Sequence, residues 1–232
     1  MALPVLSILI FLPALAAVVV PFVKNNSFAR WFTLIVLFVD FLIAVWLLVA
    51  FDVSTAEMQF RESREWVPSL GIGYRLGIDG VSVWFIFLTA LLGWICVLAS
   101  WTTIKHRVKE FMASLLAIQS MMIGVFCALD VFLFYVLWEA MLIPMYLIIG
   151  IWGGKNRIYA AFKFFLFTLA GSLLFLIGII VPYFEGGRTF DMLALMESEY
   201  TFRVQAGVFI AFLIAFAVKV PMVPFHTWLP DA

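Results

Sequence analysis

In the stretch LDVFLFYVLWEAMLIPMYLIIGIWGG, residues 129–154, the acid Glu139 stands inside a run apolar enough to cross a bilayer. Lys219 stands near the end of another such run, FIAFLIAFAVKVPMVPFHTWLP. A charge at the bilayer centre costs roughly 2.5–3.5 kcal/mol on insertion scales, so such a residue faces other helices, water or an opposite charge. Most other charges read as lying at helix ends or in loops, which leaves these two as the ionisable groups within spans. Burial favours the neutral form of a carboxyl group, and a nearby cation favours the ionised form. A buried Glu beside a movable Lys is therefore a proton switch. The structural alternative is an ion pair or hydrogen bond that only fixes helix packing.

The surroundings of Lys219 sharpen its reading. Pro221 and Pro224 lack N–H groups and free the carbonyls of Ala217 and Val220 on either side of it. A lysine near a helix end can snorkel to the interface. A lysine at a broken membrane helix instead matches the way transporters build ion sites. Pro144 likewise frees the carbonyl of Ala140, one residue after Glu139. Two further candidates are weaker. Lys163 is a snorkelling anchor or part of an inward file of protonatable groups. His226, beyond the break, has an unperturbed pKa near ~6.5 that suits proton transfer, yet a lone His near a helix end also reads as structural. Asp79 and Asp130 stand at helix starts and read as N-caps.

These residues need a membrane scaffold, and the composition supplies one. The chain is 66% hydrophobic and 12% charged, with zero formal net charge. Soluble domains carry about a quarter charged residues. No basic excess points to nucleic acid. Seven apolar runs, about 3–23, 28–51, 80–102, 110–128, 131–151, 157–183 and 204–220, each approach the ~20 residues that cross a bilayer. The first lacks a basic n-region, so it reads as a retained span rather than a signal peptide. Lys24, Arg30, Lys105, Arg107, Lys109, Lys155, Arg157 and Lys163 follow odd-numbered runs. Only Arg61, Arg64, Arg75, Arg188 and Arg203 follow even-numbered ones. The positive-inside rule then places the N-terminus outside.

Two outer loops have structure of their own. In LGIGYRLGID, residues 70–79, alternation of Leu70, Ile72, Tyr74, Leu76 and Ile78 predicts a strand, with QFRESREW as its hairpin partner. In EGGRTFDMLALMESEY the expectation is a short surface helix with Phe190, Leu193 and Met196 on one side.

Other chemistries lack their residues. There is no Gly-rich nucleotide motif in strand–helix context. Cys96 and Cys127 stand apart from each other and from His, so neither a disulfide nor a metal nor an iron–sulfur site is expected. His106 and His226 are both terminal to spans, which disfavours haem. The expectation is a chain without a cofactor, whose chemistry lies inside the membrane.

The segments LDVFLFYVLWEAMLIPMYLIIGIWGG, IDGVSVWFIFLTALLG and FAVKVPMVPFHTWLPDA together resemble the antiporter-like membrane subunits of respiratory complex I, the proton-pumping NADH:quinone oxidoreductase. The look is that of the M-chain type, called chain 4 in mitochondria. The resemblance covers essentially the whole chain and corresponds to the N-terminal half of such a subunit. It implies an all-α polytopic fold with inverted five-helix repeats, the first starting at the fourth helix. Residues 1–109 would hold the first three helices and a hairpin-like loop at 52–80. Residues 110–232 would hold an incomplete first repeat with a discontinuous seventh helix. The family's glutamate falls on Glu139 and its broken-helix lysine on Lys219. The next lysine of the polar axis, on an eighth helix, and the whole second repeat lie outside this sequence. The resemblance further implies proton translocation without a redox site in this chain. NADH, FMN, iron–sulfur clusters and quinone would belong to partner subunits, with neighbouring antiporter-like subunits and the bilayer as contacts. It implies the bacterial inner membrane over the mitochondrial one. A cation/proton antiporter or membrane-bound hydrogenase subunit shares the Glu and Lys and is the neighbouring alternative. A purely structural assembly module is the alternative of another class.

Overall fold

The computed structural model describes residues 3–232. Among them seven helical spans are long and apolar enough to cross a membrane: Val5–Phe22, Asn26–Ala50, Ser82–Ser100, Val108–Cys127, Val131–Trp152, Arg157–Glu185 and Phe202–Lys219. All seven runs expected from the sequence are present, with ends shifted by a few residues. Large apolar side chains such as Leu15, Val49 and Leu166 are exposed. So many exposed hydrophobes suit a lipid-facing surface and not an aqueous one.

The chain forms two compact units. The first, residues 1–63 and 75–128, holds α1 (Val5–Val19), α2 (Asn26–Ala50), α3 (Ser82–Ser100) and α4 (Val108–Cys127). Helix α4 lies at its centre, packed against the other three, with Met112, Leu116 and Ile123 fully buried. Side chains tie this bundle at its polar points. Ser120 of α4 donates to the Ile10 carbonyl at 2.7 Å, close to Pro13 in α1. The Glu62 carboxylate accepts from the Leu6 and Ser7 N–H groups in the first turn of α1. An acid there satisfies orphan donors and complements the helix dipole.

The second unit, residues 64–74 and 129–232, holds α5 (Val131–Ala140), α6 (Leu142–Trp152), α7 (Arg157–Glu185), α8 (Met192–Glu197) and α9 (Phe202–Lys219), then a 3₁₀ segment over Phe225–Asp231. Helix α7 is its spine, packed against α5, α6, α9 and the 3₁₀ segment. The division at residue 128 follows packing. The division at residue 109 is the one that the family resemblance implies, and it rests on a repeat rather than on packing.

The expected hairpin is present as β1 (Gln59–Val67) and β2 (Ile72–Ile78), joined through Pro68–Leu70. Asp130 caps α5, accepting from the Phe132 and Leu133 N–H groups, and its second oxygen accepts from Gly73 N–H at 2.9 Å. The short helix after the 186–187 glycine turn is also present, capped by Asp191. Its expected face is not. Phe190 is buried, whereas Met196 is 77% exposed. Phe190 precedes the helix, in a bridge that joins Asp191 to Asp130, so helical periodicity does not govern where it points.

Candidate functional site

Glu139 is the penultimate residue of α5, and the helix is interrupted immediately after it at Met141. Pro144 is the cause. It cannot donate to the Ala140 carbonyl, and the neighbouring bonds are stretched: Met141 N to Leu137 O is 3.4 Å and Met145 N to Met141 O is 3.3 Å. Ordinary N–H···O bonds centre near 2.9–3.0 Å. The sequence signal for this break was Pro144. The break divides the fifth span into α5 and α6, where one continuous helix was expected.

The seventh span breaks where the two prolines demand. Helix α9 ends at Lys219, and two carbonyls ahead of the break, those of Ala217 and Val218, find new partners. Met222 N–H donates to the Ala217 carbonyl at 2.8 Å, reaching one residue further than a helical bond. The Trp228 indole N–H donates to the Val218 carbonyl at 2.9 Å. Trp228 is buried and packs on Phe164 of α7, with ring centroids 5.1 Å apart. The segment after the break thus folds back over the bundle and re-satisfies the backbone, as a membrane helix break requires.

These two breaks meet. Lys219 Nζ donates to the Trp138 carbonyl at 3.4 Å, adjacent to Glu139, and lies 4.8 Å from the Trp138 ring centroid. A cation at that distance over an indole gains attraction from the ring face. Phe134, Phe175 and Phe216 surround that indole. Glu139 lies within electrostatic range of Lys219, and the Ser172 hydroxyl of α7 stands near its carboxyl group. Ser172 also donates to the Thr168 carbonyl at 2.8 Å. One buried oxygen of Glu139 has no hydrogen-bond partner among the described residues. The arrangement places a carboxyl, an ammonium and a hydroxyl on α5, α9 and α7. Gly171, beside Ser172, lets α7 and α9 approach closely, since a Cβ there would stand 3.0 Å from Val218 Cβ.

The secondary candidates divide. Lys163 pairs with Asp231 at 2.6 Å and lies 5.8 Å from the Tyr159 ring. It therefore has a specific anionic partner, a third outcome beside the two expected. His226 lies in the 3₁₀ segment, and its buried Nδ1 has no hydrogen-bond partner among the described residues. Among the described residues, neither hydrogen-bonds Glu139 or Lys219. Asp79 and Asp130 are caps, as read from sequence. Ser172 was missed, because a hydroxyl in an apolar helix carries no sequence signal without its partner.

The expectation that only two ionisable groups lie within spans is corrected by Asp40. It stands in the middle of α2 and is 0% exposed. Its Oδ2 accepts from the Gln119 carboxamide of α4 at 2.6 Å. The signal was plain in the sequence, an acid within the run LIVLFVDFLIAV.

A family model described as NADH:quinone oxidoreductase/Mrp antiporter, TM matches residues 128–232. The chain is 46% identical to NADH-quinone oxidoreductase subunit M of Rhodobacter capsulatus, over 98% of this chain and 47% of that protein. It is 44% identical to NADH-ubiquinone oxidoreductase chain 4 of Arabidopsis thaliana, over 98% of this chain and 46% of that one. Its fold is similar to that of a chain in respiratory complex I from Thermus thermophilus with bound NADH. There the TM-score is 0.86 and the identity 27%, over 97% of this chain and 46% of that chain. The chain spans about half the length of the curated relatives it matches.

Proposed function

We propose that this chain, which belongs to the NADH:quinone oxidoreductase/Mrp antiporter transmembrane family, moves protons within the membrane arm of a respiratory NADH:quinone oxidoreductase. The observation that carries the reading is the meeting of Glu139, Lys219 and Ser172 at two helix breaks. Glu139 is the proton carrier. With the Lys219 ammonium close, the carboxylate is favoured and the proton leaves. With the ammonium drawn away, the neutral acid is favoured and a proton enters. The Trp138 carbonyl and ring hold Lys219 in the close position. The helix break after Lys219 gives its backbone the freedom to move without unwinding α9. Ser172 offers a hydroxyl through which the proton on Glu139 can be passed or exchanged. Lys163 and His226 are extensions of this path toward one face.

The chain itself holds no cofactor in this reading. Electron transfer from NADH through flavin and iron–sulfur clusters to quinone belongs to other subunits, and neighbouring antiporter-like subunits are the lateral partners. The N-terminus lies outside, in accord with the distribution of Lys and Arg, and the membrane is the bacterial inner membrane.

The test is Glu139→Gln and Lys219→Ala in the full-length subunit within its assembled complex. The expected result is normal assembly with proton translocation per electron lost. Unchanged pumping in the assembled enzyme rejects the role. Lost assembly assigns the pair to helix packing instead.

A further inference from the structure

The first bundle holds its own intramembrane acid. Asp40 in α2, Gln119 in α4 and Trp94 in α3 all lie near the middle of their spans. Asp40 is 0% exposed and Gln119 3%. Asp40 Oδ1, Gln119 Oε1 and Trp94 Nε1 are buried without hydrogen-bond partners among the described residues. The indole of Trp94 packs on Phe38 and Phe41, which flank Asp40 along α2. The space for the carboxamide is made by Gly93, where a Cβ would fall 1.5 Å from Gln119 Oε1. This is a built polar site on three helices, separate from Glu139 and Lys219.

No cation faces it. Helices α1 and α3 contain no Lys, Arg, His, Asp or Glu. On α4 the charged residues are Lys109 and Glu110 in the first turns, and Cys127 closes the helix. Gln119 stands ten positions past Lys109, about 15 Å at 1.5 Å per residue. On α2 the other charge is Arg30, ten positions from Asp40, whose guanidinium donates to the Ile104 carbonyl at 2.8 Å. An ionised carboxylate buried without a countercharge is strongly disfavoured.

The geometry accommodates the neutral form: the Asp40 Oδ2 and the Gln119 carboxamide stand 2.6 Å apart, within the span of an O–H···O bond. A carboxamide presents either its oxygen or its nitrogen depending on its partner. Turned by half a rotation, Gln119 offers its carbonyl oxygen to an acid proton, and its NH₂ takes the position beside Gly93.

We infer that Asp40 and Gln119 form a proton-binding site in the first bundle, where Asp40 is a neutral carboxylic acid donating to the Gln119 amide oxygen. The site takes one proton and keeps it. It lacks the cation whose approach and withdrawal would release that proton, so it joins α2 to α4 without entering the transport path.

The experiment uses the full-length subunit in its assembled complex, comparing wild type with Asp40→Asn. Infrared difference spectra are expected to lose a protonated-carboxyl C=O band and no carboxylate bands. Loss of carboxylate bands instead overturns the inference. Asparagine can donate to the same amide oxygen, so assembly is expected to survive, and its loss also counts against a neutral acid. Protons translocated per electron are expected to equal the wild-type ratio. A lowered ratio with intact redox turnover would place Asp40 on the path and overturn the claim that the proton is held. The infrared arm stands independently of the pumping role proposed for Glu139.

Discussion

Among the described residues, two acids sit within membrane spans away from the span ends, and each bundle handles its acid differently. In the second unit Glu139 meets an ammonium, a hydroxyl and two interrupted helices. In the first, Asp40 meets a carboxamide between unbroken helices. Both arrangements lower the cost of an acid in the bilayer, but only one can be reversed. In the proposed mechanism the lysine on a broken helix approaches and retreats, and each movement changes which form of the carboxyl group is favoured. A glutamine on a continuous helix offers a fixed dipole. In that mechanism an intramembrane acid alone does not mark a transport site; a movable countercharge beside it does.

The largest effect expected from this contrast is on transport. Glu139→Gln abolishes proton translocation, whereas Asp40→Asn leaves it at the wild-type ratio. Both substitutions remove one ionisable group from a span, so general disturbance of the bilayer-embedded bundle would affect both. Vesicles carrying the assembled enzyme, read with a pH-sensitive dye, distinguish the two. Equal losses in both variants would erase the proposed distinction.

Glycine substitutions give the next effect, on stability. At Gly93 an added Cβ overlaps the Gln119 carboxamide. That carboxamide is the far end of a flexible side chain, but clearing the clash draws it off Asp40. Gly93→Ala is therefore expected to cost about 1–3 kcal/mol by overpacking, with loss of the Asp40 bond in addition. At Gly171 the nearest atom is Val218 Cβ at 3.0 Å, and a shift of a few tenths of an ångström relieves the contact. Its effect on thermal unfolding of the detergent-solubilised subunit is smaller than that at Gly93. Its effect on transport is the larger of the two, because Val218 adjoins Lys219. A Gly171→Ala variant with wild-type transport would show that Lys219 tolerates displacement of α9.

The sequence exposes these features unevenly, for physical reasons. The spans are legible because apolar length is a property of the chain alone. The break after Lys219 is legible because proline removes a donor in any context, and Pro144 carried the same information about Met141. The second strand of the hairpin is legible from alternation, and the first from its place as the neighbouring partner across Pro68. Phe190 and Met196 were misplaced because periodicity was applied across the start of a six-residue helix. Ser172, the Trp138 carbonyl under Lys219 and the Lys163–Asp231 pair depend on contacts between distant segments, which spacing cannot reveal. Asp40 is different. It was visible as an acid in the second apolar run, and its burial follows from the same cost argument that singled out Glu139.

A third acid supplies the smallest effect and a control for the other two. Asp79 lies ahead of α3, outside the span, and accepts from the Ser82 N–H at 2.7 Å and the Val81 N–H at 3.1 Å. The Ser82 backbone N–H is the main cause that holds its carboxyl below the usual carboxylate range. The folded value is thus below the unfolded one. Its stabilisation is fully present above about pH 4, the unfolded value, and is lost as pH falls through the folded value. Asp79→Ala is expected to lose about 1 kcal/mol at neutral pH, the usual worth of a cap. The difference from wild type should narrow on acidification below that range. Asp79→Asn, which still accepts from backbone N–H groups, should lose only part of it. Thermal unfolding of the solubilised full-length subunit across acid pH measures both. Asp40→Asn in the same series should show the opposite trend, with wild type gaining on the variant as pH falls, because the ionised Asp40 of the unfolded chain must take up a proton to fold as a neutral acid. A matching acid dependence at Asp40 would mean that its carboxylate is ionised in the membrane, and the contrast between the two bundles would fail at its root.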